Sequence, residues 1–170
     1  IQLDGTHSYA KRGGEAVAWQ RRKKGKTTNI LILAESRGIP LACSDPVAGN
    51  HHDSYDLVEQ IEKMLAAIES SQINVEGLFI NADAGFDTED FRSHCFKKEI
   101  IANIDRNKRN GEQQHEYLFD EMLYKGRFVI ERTNAWIDAF KALLVRFETN
   151  NSHWKSLHYI AFSVILLRQL

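Results

Sequence analysis

The chain has 170 residues, of which 43% are hydrophobic and 26% charged, and its formal net charge at pH 7 is -1. This length suits one domain with a sizeable core, so we expect a single domain over residues 1–170. No apolar run is long enough to span a bilayer and no signal peptide is visible, so a membrane protein is excluded and the cytoplasm is the expected location. Cys43 and Cys95 belong to no C-x-x-C pattern, which predicts two buried thiols in a reducing compartment.

The first half of the chain predicts a three-stranded meander. Ile1–Asp4 alternates apolar and polar residues, as a strand does, and ends on an acid. Thr28–Ala34 is rich in branched side chains and predicts a strand buried on both faces. After a short turn, Ile39–Ser44 predicts the returning strand of a hairpin.

The second half alternates helices and strands, with Asp53 and Asp87 predicted to cap the first two helices. The predicted segments, in chain order, are a helix over Leu57–Ile68, a strand over Val75–Ile80, a helix over Asp87–Lys98, a strand over Glu99–Ile104, and helices over Arg127–Glu148 and Ser152–Gln169. A meander followed by alternating strands and helices predicts an α/β fold, with a mixed five-stranded sheet flanked by helices.

A basic segment, defined as Tyr9–Lys26, carries seven cationic side chains against the single acid Glu15. The seven are Lys11, Arg12, Arg21, Arg22, Lys23, Lys24 and Lys26. The basic segment therefore has a charge of +6 and the remainder of the chain about -7. Such a segment suits contact with a phosphate backbone, and the alternative is an exposed, solvated loop.

Two acids follow apolar strands and have no evident helix to cap: Asp4 after the first strand and Asp83 after the fourth. If those strands are parallel neighbours, the two carboxylates meet at one edge, where a cation must offset their repulsion. Mg²⁺ or Mn²⁺ suits oxygen ligands, and two such ions would activate a water or hydroxyl and stabilise the leaving oxygen of a phosphodiester. Glu131 lies opposite the apolar arc of its helix, where it completes the cluster or belongs to a solvated polar face.

Four segments resemble DDE transposases of bacterial insertion sequences, in the order that the family has along nearly the whole chain. They are QLDGTHSYAKRGGE, GIPLACSDPVAGNHHDSYDL, LFINADAGFDTEDFR and YKGRFVIERTNAWIDAFKALLVRFE. The closest branch is the one with a Y-R-E-K signature around its catalytic glutamate. The resemblance implies an RNase H-like fold, double-stranded DNA as the substrate (element ends and target), two Mg²⁺ or Mn²⁺ ions, a homodimer in the synaptic complex and no membrane partner.

The resemblance also implies roles for particular residues. Asp4 in LDGT, Asp83 in NADAGFD and Glu131 in VIERTNAW match the family's catalytic, metal-binding acids. Tyr124 and Arg127 match the Tyr and Arg of the signature. With Glu131 they stand at i, i+3 and i+7, on one face of a helix, where Arg127 would bind a DNA phosphate.

The chain departs from the family pattern at the signature lysine. Seven residues after Glu131 stands Asp138, so the DNA contact made there is expected to be absent or supplied by Lys141 or Arg132. The Arg106–Leu123 segment is too short for the β-rich insertion domain of some relatives.

The histidines His51 and His52 in GNHHD belong to a matched segment as well. They are either residues of the loop entering a helix or part of the active site.

The expected function is the catalytic domain of an insertion-sequence transposase in a bacterial cell. It would cut DNA at the element's ends with a metal-activated water and use the freed 3′-hydroxyl to attack target DNA. Relatives usually place a helical DNA-binding region before the first catalytic Asp, so a fragment or a decayed element copy is expected here. Two alternatives are another RNase H-like nuclease, which cuts without joining, and a non-catalytic remnant that binds DNA through the basic segment alone.

Overall fold

The computed structural model of the chain describes residues 1–108 and 118–170. Its strands are β1 (Gln2–Ala10), β2 (Ala18–Gln20), β3 (Gly25–Ala34), β4 (Pro40–Cys43), β5 (Val47–Ala48), β6 (Phe79–Ala82), β7 (Ile101–Ile104) and β8 (Val145–Arg146). Its helices are α1 (Leu57–Ser70), α2 (Glu89–Lys97), α3 (Glu121–Lys125), α4 (Val129–Asp138), α5 (Lys141–Leu144) and α6 (Asn151–Leu167), with 3₁₀ turns at Ala84–Phe86 and Gly126–Phe128. Across these two ranges, none of the helices combines the length and the apolar character that crossing a membrane requires.

The five predicted strands all exist and join in the order β4-β3-β1-β6-β7. Antiparallel pairing links β4 to β3 and β3 to β1, whereas β1 with β6 and β6 with β7 are parallel. Three short strands that the sequence did not predict extend this sheet, β2 and β5 along β3 and β8 along β1. The mixed sheet flanked by helices is the predicted α/β class and has the order of an RNase H-like fold.

Strand β3 organises the core because both of its faces are covered. In the run Ile30–Ala34 the odd-numbered side chains pack with residues of α1 and α2, and the even-numbered ones with residues of α4, α5 and α6. This is the arrangement that its continuous run of branched residues predicted. Cys43 and Cys95 lie in the same two clusters as free, buried thiols, as predicted, and burial raises the pKa of each to about 12.

Both predicted helix caps are wrong. Helix α1 begins after Asp56, whose backbone is left-handed with φ 49° and whose side chain accepts no capping hydrogen bond, so Asp53 lies too early to cap it. Helix α2 is capped by Thr88, which accepts from the main-chain N–H of Phe91. Asp87 instead accepts from the guanidinium of Arg92 at 2.6 Å in a buried ion pair.

The predicted single helix over Arg127–Glu148 is interrupted. Helix α4 ends at Asp138, the backbone at Phe140 is extended with φ -88° and ψ 100°, and the chain then forms α5 and β8. The buried guanidinium of Arg146 explains the break, because it donates to the Thr28 hydroxyl at 2.8 Å and to the main-chain oxygen of Glu148 at 2.8 Å. Those contacts and the pairing of β8 with β1 outweigh the local helical periodicity.

Candidate active site

Asp4 lies on β1, and Asp83 directly follows the neighbouring parallel strand β6. Gln2 of β1 stands opposite Asn81 of β6, and the same register continued by two residues places Asp4 beside Asp83, directly after β6. Strand β1 continues to Ala10, so Asp4 lies inside a strand and the prediction that it ends one is wrong. The two carboxylates are nevertheless close enough for the charge of Asp83 to act on Asp4.

The environment of Asp4 disfavours its negative charge. Burial raises the pKa of Asp4 to about 6, and the like charges of Asp53 and Asp83 push in the same direction. The main-chain N–H of Gly5 and the side chain of Asn134 hydrogen-bond to the carboxylate and oppose this shift. A partly desolvated carboxylate between two other acids suits a bound cation, and oxygen donors suit Mg²⁺ or Mn²⁺.

Helix α4 contacts Asp4 through Asn134 rather than through Glu131. The Asn134 amide nitrogen donates to Oδ2 of Asp4 at 3.1 Å, while the Asn134 amide oxygen is buried without a hydrogen-bond partner in residues 1–108 and 118–170. Glu131 stands one helical turn earlier on α4, about 60° around the axis from Asn134, and is exposed to solvent. In the part of the chain that the structure describes, no group of three or more His, Cys, Asp or Glu side chains is arranged to hold a metal ion.

Asp53 is a residue of this region whose position the sequence did not predict. Its Oδ1 accepts from the amide nitrogen of Asn29 at 2.6 Å and lies 3.8 Å from Nε2 of His7. A Cβ atom at Gly5 would lie 2.6 Å from the Asp53 carboxyl carbon, so a side chain at this position requires Asp53 to move. Burial lowers the pKa of His7, although the nearby Asp53 opposes that shift. The only sequence signal for this arrangement was the matched segment GNHHD.

The two histidines of that segment lie beside Asp53 in the chain. His51 stacks on Tyr55 with their ring centroids 3.8 Å apart, and His52 is exposed. The stacking accounts for His51 as a residue of the loop before α1, and a role for either histidine in the active site stays a prediction.

Tyr124 and Arg127 lie next to each other, as the predicted helical spacing requires. The guanidinium of Arg127 is 5.3 Å from the ring centroid of Tyr124 and 5.1 Å from that of Phe128. Its Nε is buried and has no hydrogen-bond partner among the described residues. A guanidinium flanked by two aromatic rings is a suitable group for a phosphate.

The family model described as DDE superfamily endonuclease matches residues 3–168, a range that includes Asp4, Asp83 and Glu131. The chain belongs to the DDE superfamily endonucleases. Membership confirms the predicted transposase-like DDE domain and the fold class, whereas the Y-R-E-K branch stays a prediction. The family implies a DNA substrate and nuclease chemistry, and its members generally use divalent metal ions. No curated protein and no solved structure matches the chain.

Around the missing signature lysine, this DDE endonuclease has two candidate cations in different situations. The guanidinium of Arg132 donates to the main-chain oxygen of Arg37 and lies 5.2 Å from the ring centroid of Trp136, so it is held by its own domain. Lys141 is exposed and lies in α5, beyond the break at Phe140. The orientation of Lys141 relative to Glu131 therefore does not follow from one ideal helix. Of the two cations, Lys141 is the one whose charged group is more available for a DNA contact.

The basic segment of the endonuclease consists of strand residues joined by turns and loops, and six of its seven cations lie in the connecting residues 11–17 and 21–24. It comprises the end of β1, all of β2 and the start of β3, and the Tyr9 hydroxyl donates to the main-chain oxygen of Lys23 at 2.8 Å. Glu15 links the basic segment to the start of α6, because its carboxylate accepts a hydrogen bond from the main-chain N–H of Asn151 at 2.8 Å. None of the seven cations forms an ion pair with an acid in the described ranges, and all but Lys23 are exposed.

The predicted gap between β7 and α3 falls partly on residues that the structure does not describe. Of Arg106–Leu123, residues 109–117 lie outside the described ranges, so the expected absence of a β-rich insertion domain stays a prediction. Asp120, which follows these residues in the chain, caps α3 by accepting hydrogen bonds from the main-chain N–H groups of Met122 and Leu123.

Proposed function

We propose that this chain is the catalytic domain of an insertion-sequence transposase, which cleaves DNA at the element's ends and transfers the freed strand into target DNA. The observation that carries the proposal is that Asp4 on β1 lies beside Asp83, which follows the parallel neighbouring strand β6, within a chain that matches the DDE endonuclease family almost from end to end. Charge repulsion between these carboxylates is the condition that a divalent cation relieves.

The acids that would hold two Mg²⁺ or Mn²⁺ ions are Asp4, Asp83 and Glu131. Asn134 supports the assignment of Glu131, because its hydrogen bond to Asp4 holds α4 against β1 one turn away from that glutamate. When bound, the ions would activate the attacking water or hydroxyl and offset charge on the leaving oxygen. Among this chain's own groups, Asn134 and the Gly5 N–H fix the orientation of the Asp4 carboxylate.

DNA binding is assigned to two surfaces. Arg127, flanked by Tyr124 and Phe128, would bind a phosphate near the reacting strand through its guanidinium. The basic segment contributes seven cations without acidic partners among the described residues and would neutralise phosphates without reading sequence. Cleavage and strand transfer are both in-line phosphoryl transfers, so one site serves both once the DNA is positioned. Both element ends would be brought together by a homodimer.

The experiment that tests this function uses the purified chain with a plasmid that carries the genomic DNA flanking its own coding region. Cleavage in Mg²⁺ followed by joining of labelled 3′-ends to a second DNA supports a transposase. Cleavage without joining identifies a nuclease of the same fold, and DNA binding without either reaction identifies a binding remnant. Asp83→Asn should abolish both reactions and leave DNA binding intact, since Asp83 serves the metal and not the phosphates.

A further inference from the structure

The carboxylate of Asp53 lies behind the strand segment that carries Asp4. Side chains alternate along β1, so Asp4 faces α4, where Asn134 contacts it, while Gly5 and His7 face the other side of the sheet. The loop before α1 brings Asp53 to that other side, directly over Gly5. Asp4 and Asp53 therefore approach one stretch of β1 from opposite faces.

Two strands together hold Asp53 in this place. His7 of β1 and Asn29 of β3 stand directly opposite each other in the antiparallel register. Both direct nitrogen atoms at the same carboxylate oxygen, Asn29 at 2.6 Å and His7 at 3.8 Å. Asn29 is 1% exposed and its own amide oxygen has no partner in the described chain, so its orientation is determined by Asp53. Asp53 is therefore held by side chains of the sheet, unlike a solvated loop residue.

Gly5 transmits this contact to Asp4. The N–H of Gly5 hydrogen-bonds to the Asp4 carboxylate, and a Cβ atom on the same residue would lie 2.4 Å from Oδ1 of Asp53, so Asp53 occupies the space beside the Gly5 backbone. The negative charge of Asp53 also acts on Asp4 across the strand. The Asp53 carboxylate can therefore limit the movement of the Gly5 peptide group, whose N–H orients Asp4. Its charge can also make the electrostatic potential at Asp4 more negative.

We propose that Asp53 is a positioning residue of the active site, which braces the Gly5 peptide from behind and strengthens the binding of a divalent cation at Asp4. The inference rests on the proposed function, because it assumes that Asp4 serves a metal. It differs from a purely structural role of Asp53 in anchoring the loop before α1. A structural anchor affects folding, whereas a positioning residue also changes the affinity for the cation.

The first test measures Mn²⁺ binding by calorimetry to the complete chain without DNA. Asp53→Asn keeps the size and the acceptor for Asn29 and removes the charge, so Mn²⁺ affinity should fall about fivefold. Asp56→Asn is the matched control, since Asp56 is an exposed acid of the same loop, in a left-handed conformation that asparagine tolerates. Its affinity should stay within about twofold of the parent's.

Equal affinities for the two variants would overturn the inference and leave the proposed function standing. A parent chain that binds no Mn²⁺ would overturn both, and the proposed function would fall on that result alone.

The second test examines the contact itself and needs no metal. Gly5→Ala inserts a methyl group against the Asp53 carboxylate and should lower the melting temperature by roughly 5 °C or more. Combining it with Asp53→Ser, which shortens the side chain and keeps an acceptor for Asn29, should recover at least half of that loss. If Gly5→Ala yields no folded protein, recovery of folded protein in the double variant is the same result. Additive losses, or a double variant that stays unfolded, would overturn the contact.

Discussion

In the presence of EDTA, Asp4→Asn should make the protein more stable at pH 7.5, although Asp4 is assigned to the catalytic site. Burial and the neighbouring acids raise the pKa of Asp4 from 3.8 to about 6. Between these values the folded state binds more protons than the unfolded state, so this group lowers stability as the pH rises, and the loss is complete above pH 6. Asparagine keeps the shape and carries no charge to desolvate.

The magnitude follows from the gap between the two pKa values, which corresponds to at most about 3 kcal/mol. The variant does not gain the whole of this free energy, because the amide that replaces the carboxylate accepts weaker hydrogen bonds from Gly5 and Asn134. We therefore expect the free energy of unfolding to rise by about 1–2 kcal/mol at pH 7.5. Between pH 7.5 and pH 4.5 this difference should change by about 2 kcal/mol, because at pH 4.5 the carboxyl is mostly ionised in the unfolded state and mostly protonated in the folded state. At pH 4.5 the two proteins should therefore be equally stable, or the parent should be more stable by up to about 1 kcal/mol.

The assay is urea unfolding of the parent and the variant in EDTA at both pH values. Asp45→Asn is a control of opposite sign, because hydrogen bonds from Lys155 and Lys63 lower the pKa of Asp45 and its removal should destabilise the protein slightly. An Asp4→Asn variant that is less stable than the parent at pH 7.5, or a difference that does not change with pH, would refute this account of Asp4.

Three further predictions concern other parts of the chain. Glu131→Gln should abolish Mg²⁺-dependent cleavage while the unfolding free energy stays within about 0.5 kcal/mol, because Glu131 is exposed; equal cleavage by parent and variant would make it a solvated residue. Replacing four cations of the basic segment with Gln should weaken DNA binding and lower its salt slope by roughly one per lost phosphate contact, which filter binding at several salt concentrations measures. The four are Arg21, Arg22, Lys23 and Lys24. Burial lowers the pKa of His158 from 6.5 to about 4, so the parent protein loses stability as the pH falls through this range. Urea unfolding should show that the free energy by which the parent exceeds His158→Gln decreases by about 2 kcal/mol over the same range. A constant gap between those two proteins would contradict the buried, neutral state of His158.

The longer elements of the fold could be predicted because their signals are local. The branched run of β3 and the helical spacing of α1 are each complete within their own segments. The strands β2, β5 and β8 have two or three residues each and exist through pairing with a distant partner, which no local pattern reveals. The break after α4 is of the same kind, because it depends on buried Arg146 reaching Thr28, 118 residues earlier in the chain.

The candidate site shows the same division. Asp83 follows a buried strand and was predicted from that position, and the parallel neighbour that places it beside Asp4 exists. Asp53 was assigned to a helix cap because an acid before a helical pattern is usually one. Its actual partners are Asn29, 24 residues away in the chain, and Gly5, and they become neighbours only when β1 and β3 pair. Sequence position alone could therefore identify Asp83 as an acid that follows a strand, but it could not show that Asp53 folds back onto β1.

The alternation of side chains along β1 explains why the segment LDGTH carries chemistry on both sides of the sheet. Leu3 is buried in the core shared with α1 and α2, while Asp4 points the other way, toward α4. Gly5 leaves room for Asp53 on the side of Leu3, and His7 continues that side with a nitrogen directed at the same acid. A shift of β1 by one residue against β3 would exchange the faces of all these groups at once. The register that builds the core is therefore also what separates the acid proposed to bind metal from the acid proposed to brace it.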